Sequence, residues 1–252
     1  MRSYTVCQFF SNLKTITPAL LTDDVFKFIC KINQWNGDRG LSELGRLLDQ
    51  INEINPALLT STNLTSLFNL VEHNEYLAQP LSNFKSMLLK IHTLKCCDIN
   101  DERFAFFVKN SSKMRYVVDS VEEACVVNPK FVPEELFQKI ITINEARGLR
   151  YIIEFIFRNK NSLTLSAERL EMLMQNKIFL TSPIEELLKI LSKKLPSLIT
   201  DTVFETLLSQ ATNASILGFI FEGLNKTIPE LITEELFWQL LNINSEIFMV
   251  SA

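Results

Sequence analysis

Apolar positions recur along this chain with the spacing of amphipathic helices, and a short phrase interrupts them again and again. The phrase reads PALLTDDVFKFI from Pro18, NPKFVPEELFQKII from Asn128, LPSLITDTVFETLL from Leu195 and IPELITEELFWQLL from Ile228. Weaker copies begin at Asn55, Cys96 and Ser162. Each copy has one residue that opens a helix: Thr22, Thr60, Asn100, Pro133, Ser166, Thr200 and Thr233. Their spacings are 38, 40, 33, 33, 34 and 33, so the second half of the chain repeats regularly and the first half carries insertions.

Each part of the phrase has a physical role. Proline ends the incoming helix, because its ring has no N–H and clashes with the preceding turn. Thr, Ser or Asn then caps the new helix with a side-chain oxygen. Pro133 instead fits the first helical position. Acidic residues such as Asp101, Glu134, Asp201 and Glu234 occupy the first turn, where the helix dipole favours negative charge. The helix that follows is helix A. A second amphipathic helix, B, completes each unit, over segments such as Leu41–Leu48, Tyr116–Val127, Leu149–Phe157, Ile184–Leu191 and Ile216–Leu224.

These B helices are apolar on more than one side, and an isolated pair cannot bury them, whereas a stack of pairs can. The expected architecture is all-α: a right-handed αα-solenoid of about seven helix-pair repeats, each about 33 residues long, incomplete at both ends. It reads as one helical-repeat domain over residues 1–252, irregular over 1–99 and regular over 100–252. Phe26, Phe104, Phe137, Phe204 and Phe237 fall on equivalent seams. The irregular part is expected to hold a loop at Asn33–Gly40. Residues 3–16 read as a B helix lacking its A partner, and residues 244–252 as the start of another. Neither end shows a polar capping repeat, so the chain is expected to be a fragment of a longer array or to cover its ends by self-association.

Composition narrows the chemistry. Six Gly and two His among 252 residues leave little room for Gly-rich phosphate loops, His-based metal sites or a catalytic triad. No cofactor is implied. The net charge of −4 argues against nucleic acid or an anionic membrane as main partner. Five cysteines, an odd number without a Cys-x-x-Cys, argue for a reducing cytosol. The run from Ile54 to Val71 lacks charge but is interrupted by Asn, Pro, Ser and Thr, so no membrane span is expected.

A helix pair of this length resembles tetratricopeptide and ankyrin repeats, which bind proteins. The proline near the end of helix B echoes the tetratricopeptide pattern. The Trp-x-x-Leu-Gly-x-x-Tyr phrase of that family and the Thr-Pro-Leu-His of ankyrins are missing here. LITDTVFETLL and FVPEELFQKII look like the opening helices of TAL-type DNA-reading repeats, without the Gly-Gly base-reading loop. The Asn-, Ile-, Lys- and Phe-rich wording of the whole chain resembles helical-repeat effectors of intracellular bacterial pathogens. That resemblance implies delivery into a host cytosol.

The expected function is a non-enzymatic scaffold binding a protein or peptide on its helix-A face. Five positions after six of the seven openers lie Lys27, Ala105, Gln138, Glu171, Glu205 and Trp238, mostly surface residue types. Gln138, Glu171, Glu205 and Trp238 are therefore the candidate contact residues, with Trp238 as anchor and Trp35 as a second aromatic in the Asn-Gly loop. Arg158, Lys160, Lys193, Lys194 and Lys226 sit near the ends of B helices, where the dipole favours them, and form a basic strip suited to an acidic partner. His92 and Cys96 stand four apart and offer at most two metal ligands. One alternative is an enzyme or regulatory segment with its site around residues 33–40 or 72–80. A Cys–His pair built on His73 or His92 belongs to that alternative. A nucleic-acid-binding repeat is the other.

Overall fold

Helix openings in this chain are dictated by the recurring phrase, and the computed structural model shows how. It describes residues 22–72 and 78–243, without the side chains of residues 24, 28, 31–40, 68–72, 78 and 79. Helices are the only regular elements among the described residues: α1 (Asp23–Ile54), α2 (Ser61–Glu72), α3 (Ala78–Leu94), α4 (Asp101–Lys109), α5 (Ser111–Val127), α6 (Pro133–Ile140), α7 (Ala146–Arg158), α8 (Ala167–Gln175), α9 (Ser182–Lys194), α10 (Asp201–Ser209), α11 (Ala211–Thr227) and α12 (Glu234–Leu241). None is long and apolar enough to cross a membrane.

The Pro-x-Leu segments at Pro56–Leu58, Pro196–Leu198 and Pro229–Leu231 are single 3-10 turns. Leu59 (φ −78°, ψ 70°) and Ile199 (φ −82°, ψ 78°) then form inverse γ-turns, closed by the N–H of Thr60 or Thr200 donating to the carbonyl of Leu58 or Leu198 at 2.9 Å. The chain thus enters the next helix through its cap. The oxygens of Thr22, Thr60, Asn100, Ser166, Thr200 and Thr233 each accept from the N–H three residues on, at 2.9–3.4 Å. Pro133 opens α6 from the first helical position behind an uncapped Val132.

Residue contacts divide the chain into two compact units, Met1–Val118 and Asp119–Ala252, a division that falls inside α5. In the first unit α1 packs on α3 and α2 on α4; in the second, α9 packs on both α7 and α11. In these four pairs a helix rests on the helix two places along. Residue pairs about one repeat apart make the joints. Asn55 Nδ2 donates to Ile99 O (3.1 Å) in the first unit; in the second, Asn128 Nδ2 donates to Leu165 O (2.9 Å) and Asn176 Nδ2 to Leu208 O (3.1 Å). Asn55 and Asn128 occupy equivalent places, each just before a proline and each bonding to the carbonyl just before the next cap.

The seam phenylalanines Phe104, Phe137, Phe204 and Phe237 are fully buried. Phe84 meets Phe104, and Phe179 meets Phe204, edge to face at 5.6 and 5.5 Å. Phe26 is the exception, 54% exposed, with Val25 and Ile29 buried beside it. The same helix holds a second departure from expectation. The segment from Asn33 to Gly40 is not a loop: its backbone is helical, and α1 runs unbroken for 32 residues. The segment contains no proline, and its two glycines cost only about 1 kcal/mol each against alanine, too little to break a helix flanked by strongly amphipathic turns. Along α1 Val25, Ile29, Leu41, Leu44, Leu48 and Ile51 are buried, whereas Phe26 is not.

Candidate partner-binding face

The position three residues after the cap differs between copies. It holds Val25, Val203 and Leu236 in some copies and Asn63, Arg103 and Arg169 in others. The polar three all donate to the carbonyl two residues before their own cap: Asn63 to Leu58 (2.9 Å), Arg103 to Asp98 (2.8 Å) and Arg169 to Thr164. Asn63 and Arg169 then reach the first-turn carboxylate of the next A helix, Asp101 (2.7 Å) and Asp201. The acidic residues read from sequence as partners of the helix dipole are thus also acceptors for the neighbouring helix.

Arg169 is the most developed of these joints. It is only 5% exposed, pairs with Asp201 and with Glu205 (2.6 Å), and lies 5.5 Å from the centre of the Phe204 ring. Asp201 also accepts from the N–H (2.9 Å) and hydroxyl (3.1 Å) of Thr164. Burial pushes the Asp201 carboxyl up, but the bonds from Thr164 and Arg169 outweigh it and hold the group below its ordinary range. Sequence reasoning passed over Arg169. Its signal was a charged residue in a register that elsewhere holds valine.

The candidate contact residues lie on successive A helices of the second unit. Gln138 on α6 and Glu205 on α10 are exposed, while Glu171 on α8 and Trp238 on α12 are half-buried. Glu171 pairs with Lys139 of α6, and Glu205 with Arg169 of α8, so both are already engaged as ties between helices. Trp238 rests edge-on against Phe237 at 5.0 Å. Trp35 lies within α1, and its side chain is outside the described residues.

Between α6 and α8 the same face opens into a hollow of about 220 Å³. Val132, Leu136, Ala167 and Leu170 give it an apolar lining, and Lys130 and the Lys139–Glu171 pair stand at its margin. Val132 is exposed, and it is the uncapped residue that Pro133 leaves at the start of α6.

The cleft between α7 and α9 is larger, about 430 Å³, but its charged groups are already paired. Arg158 pairs with Glu154, Lys189 with Glu186, and the Tyr151 hydroxyl donates to Glu185 O at 3.2 Å. Burial and the carboxylates of Glu185, Glu186 and Glu154 push the Tyr151 phenol up to about 12. Lys226 of the basic strip likewise pairs with Glu222 at 2.6 Å.

His92 is exposed in the last turn of α3, whereas Cys96 is buried beyond the helix end. Lys95, at φ 54°, turns the chain between them, and the Cys96 N–H donates back to Ile91 O at 3.0 Å. The two side chains therefore do not share a helix face. His73 lies outside the described residues, as do residues 3–16 and 244–252. Among the described residues no group of three or more His, Cys, Asp or Glu is placed to hold a metal ion.

Comparison with protein-family models, with curated proteins and with solved structures finds no match for this chain. Its own geometry carries the functional reading.

Proposed function

We propose that this chain is a non-enzymatic scaffold: an αα-solenoid of about seven helix pairs that binds a protein or peptide partner on its helix-A face in a reducing cytosol. The solenoid reading is supported by joints between residues about one repeat apart, such as Asn128–Leu165 and Asn176–Leu208, and by the capped openings that recur with the phrase. One observation carries the binding reading: the hollow between α6 and α8, apolar within and charged at its margin. An apolar side chain of a partner fits the space left by Val132, Leu136 and Leu170, and the margin sets its register through Lys130 and Glu135. The cleft between α7 and α9 is less suited, because its charges are satisfied within the chain.

The test is affinity capture with wild type, Val132→Glu and Trp238→Ala, after matching their helicity and thermal midpoints. A specific protein held by wild type and lost with Val132→Glu supports the hollow, and its further loss with Trp238→Ala extends the site to α12. A partner retained by both variants rules out this face.

A further inference from the structure

The second unit shows what normally covers a B helix on its forward side. Thirty-three residues separate Pro196 from Pro229, so α9 and its following turn can be laid on α11 and its own. On α9 the forward positions Leu187, Ile190, Leu191, Leu195 and Leu198 are all buried, and α11 packs against this helix. The matching positions one repeat later are Ile220, Gly223, Leu224, Ile228 and Leu231. Ile220 and Leu224 are half-buried, while Ile228 and Leu231 are 43% and 49% exposed. A Cβ at Gly223 would meet no atom within 4 Å. Beside them Phe219 is 63% exposed, where α9 carries Glu186. Among the described residues nothing covers this apolar stacking face as α11 covers its equivalent on α9.

We propose that this face of α11 is a self-association surface, on which a second copy of the chain lays its own α11 antiparallel about a two-fold axis. A two-fold contact requires a self-complementary patch, in which one residue meets another and is met by it in return. Phe219 and Gly223 are such a pair. They are one helical turn apart, one projecting and the other leaving a gap. An axis passing at the level of Phe221 sets each Phe219 over the partner copy's Gly223. The same axis brings Ile216 against the aliphatic stem of Lys226 and Ser215 opposite Thr227. The 17 residues of α11 span about 25 Å, a small interface, and the dimer constant falls in the micromolar range, about 1–100 μM. The contact is independent of the helix-A reading. It places two copies of the hollow in one particle, which raises the apparent affinity for a partner bearing repeated motifs.

Sedimentation equilibrium of the full chain at protein concentrations up to about 200 μM tests this, with two variants chosen to keep the helix. Phe219→Glu restores the residue type of the equivalent position on α9, and Gly223→Leu improves helix propensity while filling the seat. The expected result is a concentration-dependent dimer for wild type, weakened at least tenfold in each variant while the circular dichroism is unchanged. A wild type that stays monomeric over the whole range overturns the proposal, and means that this face is covered by the chain itself or by another protein. A dimer indifferent to either variant overturns it too, because it must form elsewhere.

Discussion

Gly218 and Gly223 lie on the same helix, yet replacing each with alanine should move stability in opposite directions. At Gly223 the added methyl meets nothing within 4 Å, so the substitution gains helix propensity alone, about 0.5–1 kcal/mol. At Gly218 the same methyl would lie 2.2 Å from the Pro183 carbonyl oxygen and 2.7 Å from its carbon. Those are backbone atoms at the start of α9, with no rotamer through which to escape. Restoring ordinary contact needs a displacement of about 1 Å between two helices whose packing forms the joint, and overpacking of this kind costs about 1–3 kcal/mol or more. The propensity gain is common to both positions, so the two variants should differ by the overpacking cost, about 2 kcal/mol. Urea unfolding at about 0.1 μM protein, below the dimer range proposed above, measures the difference, and an unchanged slope shows that both unfold between the same states. The thermal midpoints should separate by about 4–8 °C. A Gly218→Ala variant as stable as Gly223→Ala would mean that α11 does not approach α9 this closely, and the joint described above would be wrong.

Asp201→Asn removes a carboxylate that Arg169 and Thr164 hold in its charged form, and should cost about 1–2 kcal/mol at neutral pH. The folded-state pKa is depressed, so this stabilisation is present above the ordinary carboxylate range and fades as pH falls through the folded value; the gap between wild type and variant should close in urea titrations taken from neutrality toward about pH 3. Phe137→Ala should lose about 3–5 kcal/mol, whereas Phe26→Ala, at a half-exposed site, should lose less than about 1 kcal/mol; equal losses in thermal melts would contradict the two burials. In alkaline absorbance titration the tyrosinate step near 12 should vanish in Tyr151→Phe, and wild type should lose stability as pH rises from the ordinary phenol range toward that value, since the folded state favours the neutral phenol. Retention of the late step in the variant would assign it to another tyrosine.

The parts of this fold legible in the sequence are those fixed by local chemistry. Pro196, Leu198 and Thr200 force a turn, a γ-bend and a cap within five residues, and nothing distant competes with them. The loop expected at Asn33–Gly40 failed because glycine and asparagine lower helix propensity without forbidding the helix, as proline does. The register of Phe26 matches that of Phe104, but a shared register does not fix what packs over the side chain.

The face was only partly legible. Gln138, Glu171, Glu205 and Trp238 lie on successive A helices as their register implied, but spacing could not show that Glu171 and Glu205 are tied to Lys139 and Arg169. Those ties join residues 32 and 36 apart, across a joint between helices. The apolar hollow likewise exists only once α6 and α8 stand side by side. Gly223 and Phe219 carry no local signal, since a helical glycine and a lone phenylalanine acquire meaning only beside the buried equivalents on α9.

The most direct test of the scaffold reading places a photoreactive side chain at Gln138, on the margin of the helix-A face, and a control at Ser192, in the cleft between α7 and α9. The account requires a specific cross-linked protein from position 138 that is absent from position 192 and lost when Val132→Glu is added to the same chain. The same product from both positions, or a position-138 product indifferent to Val132→Glu, would contradict it.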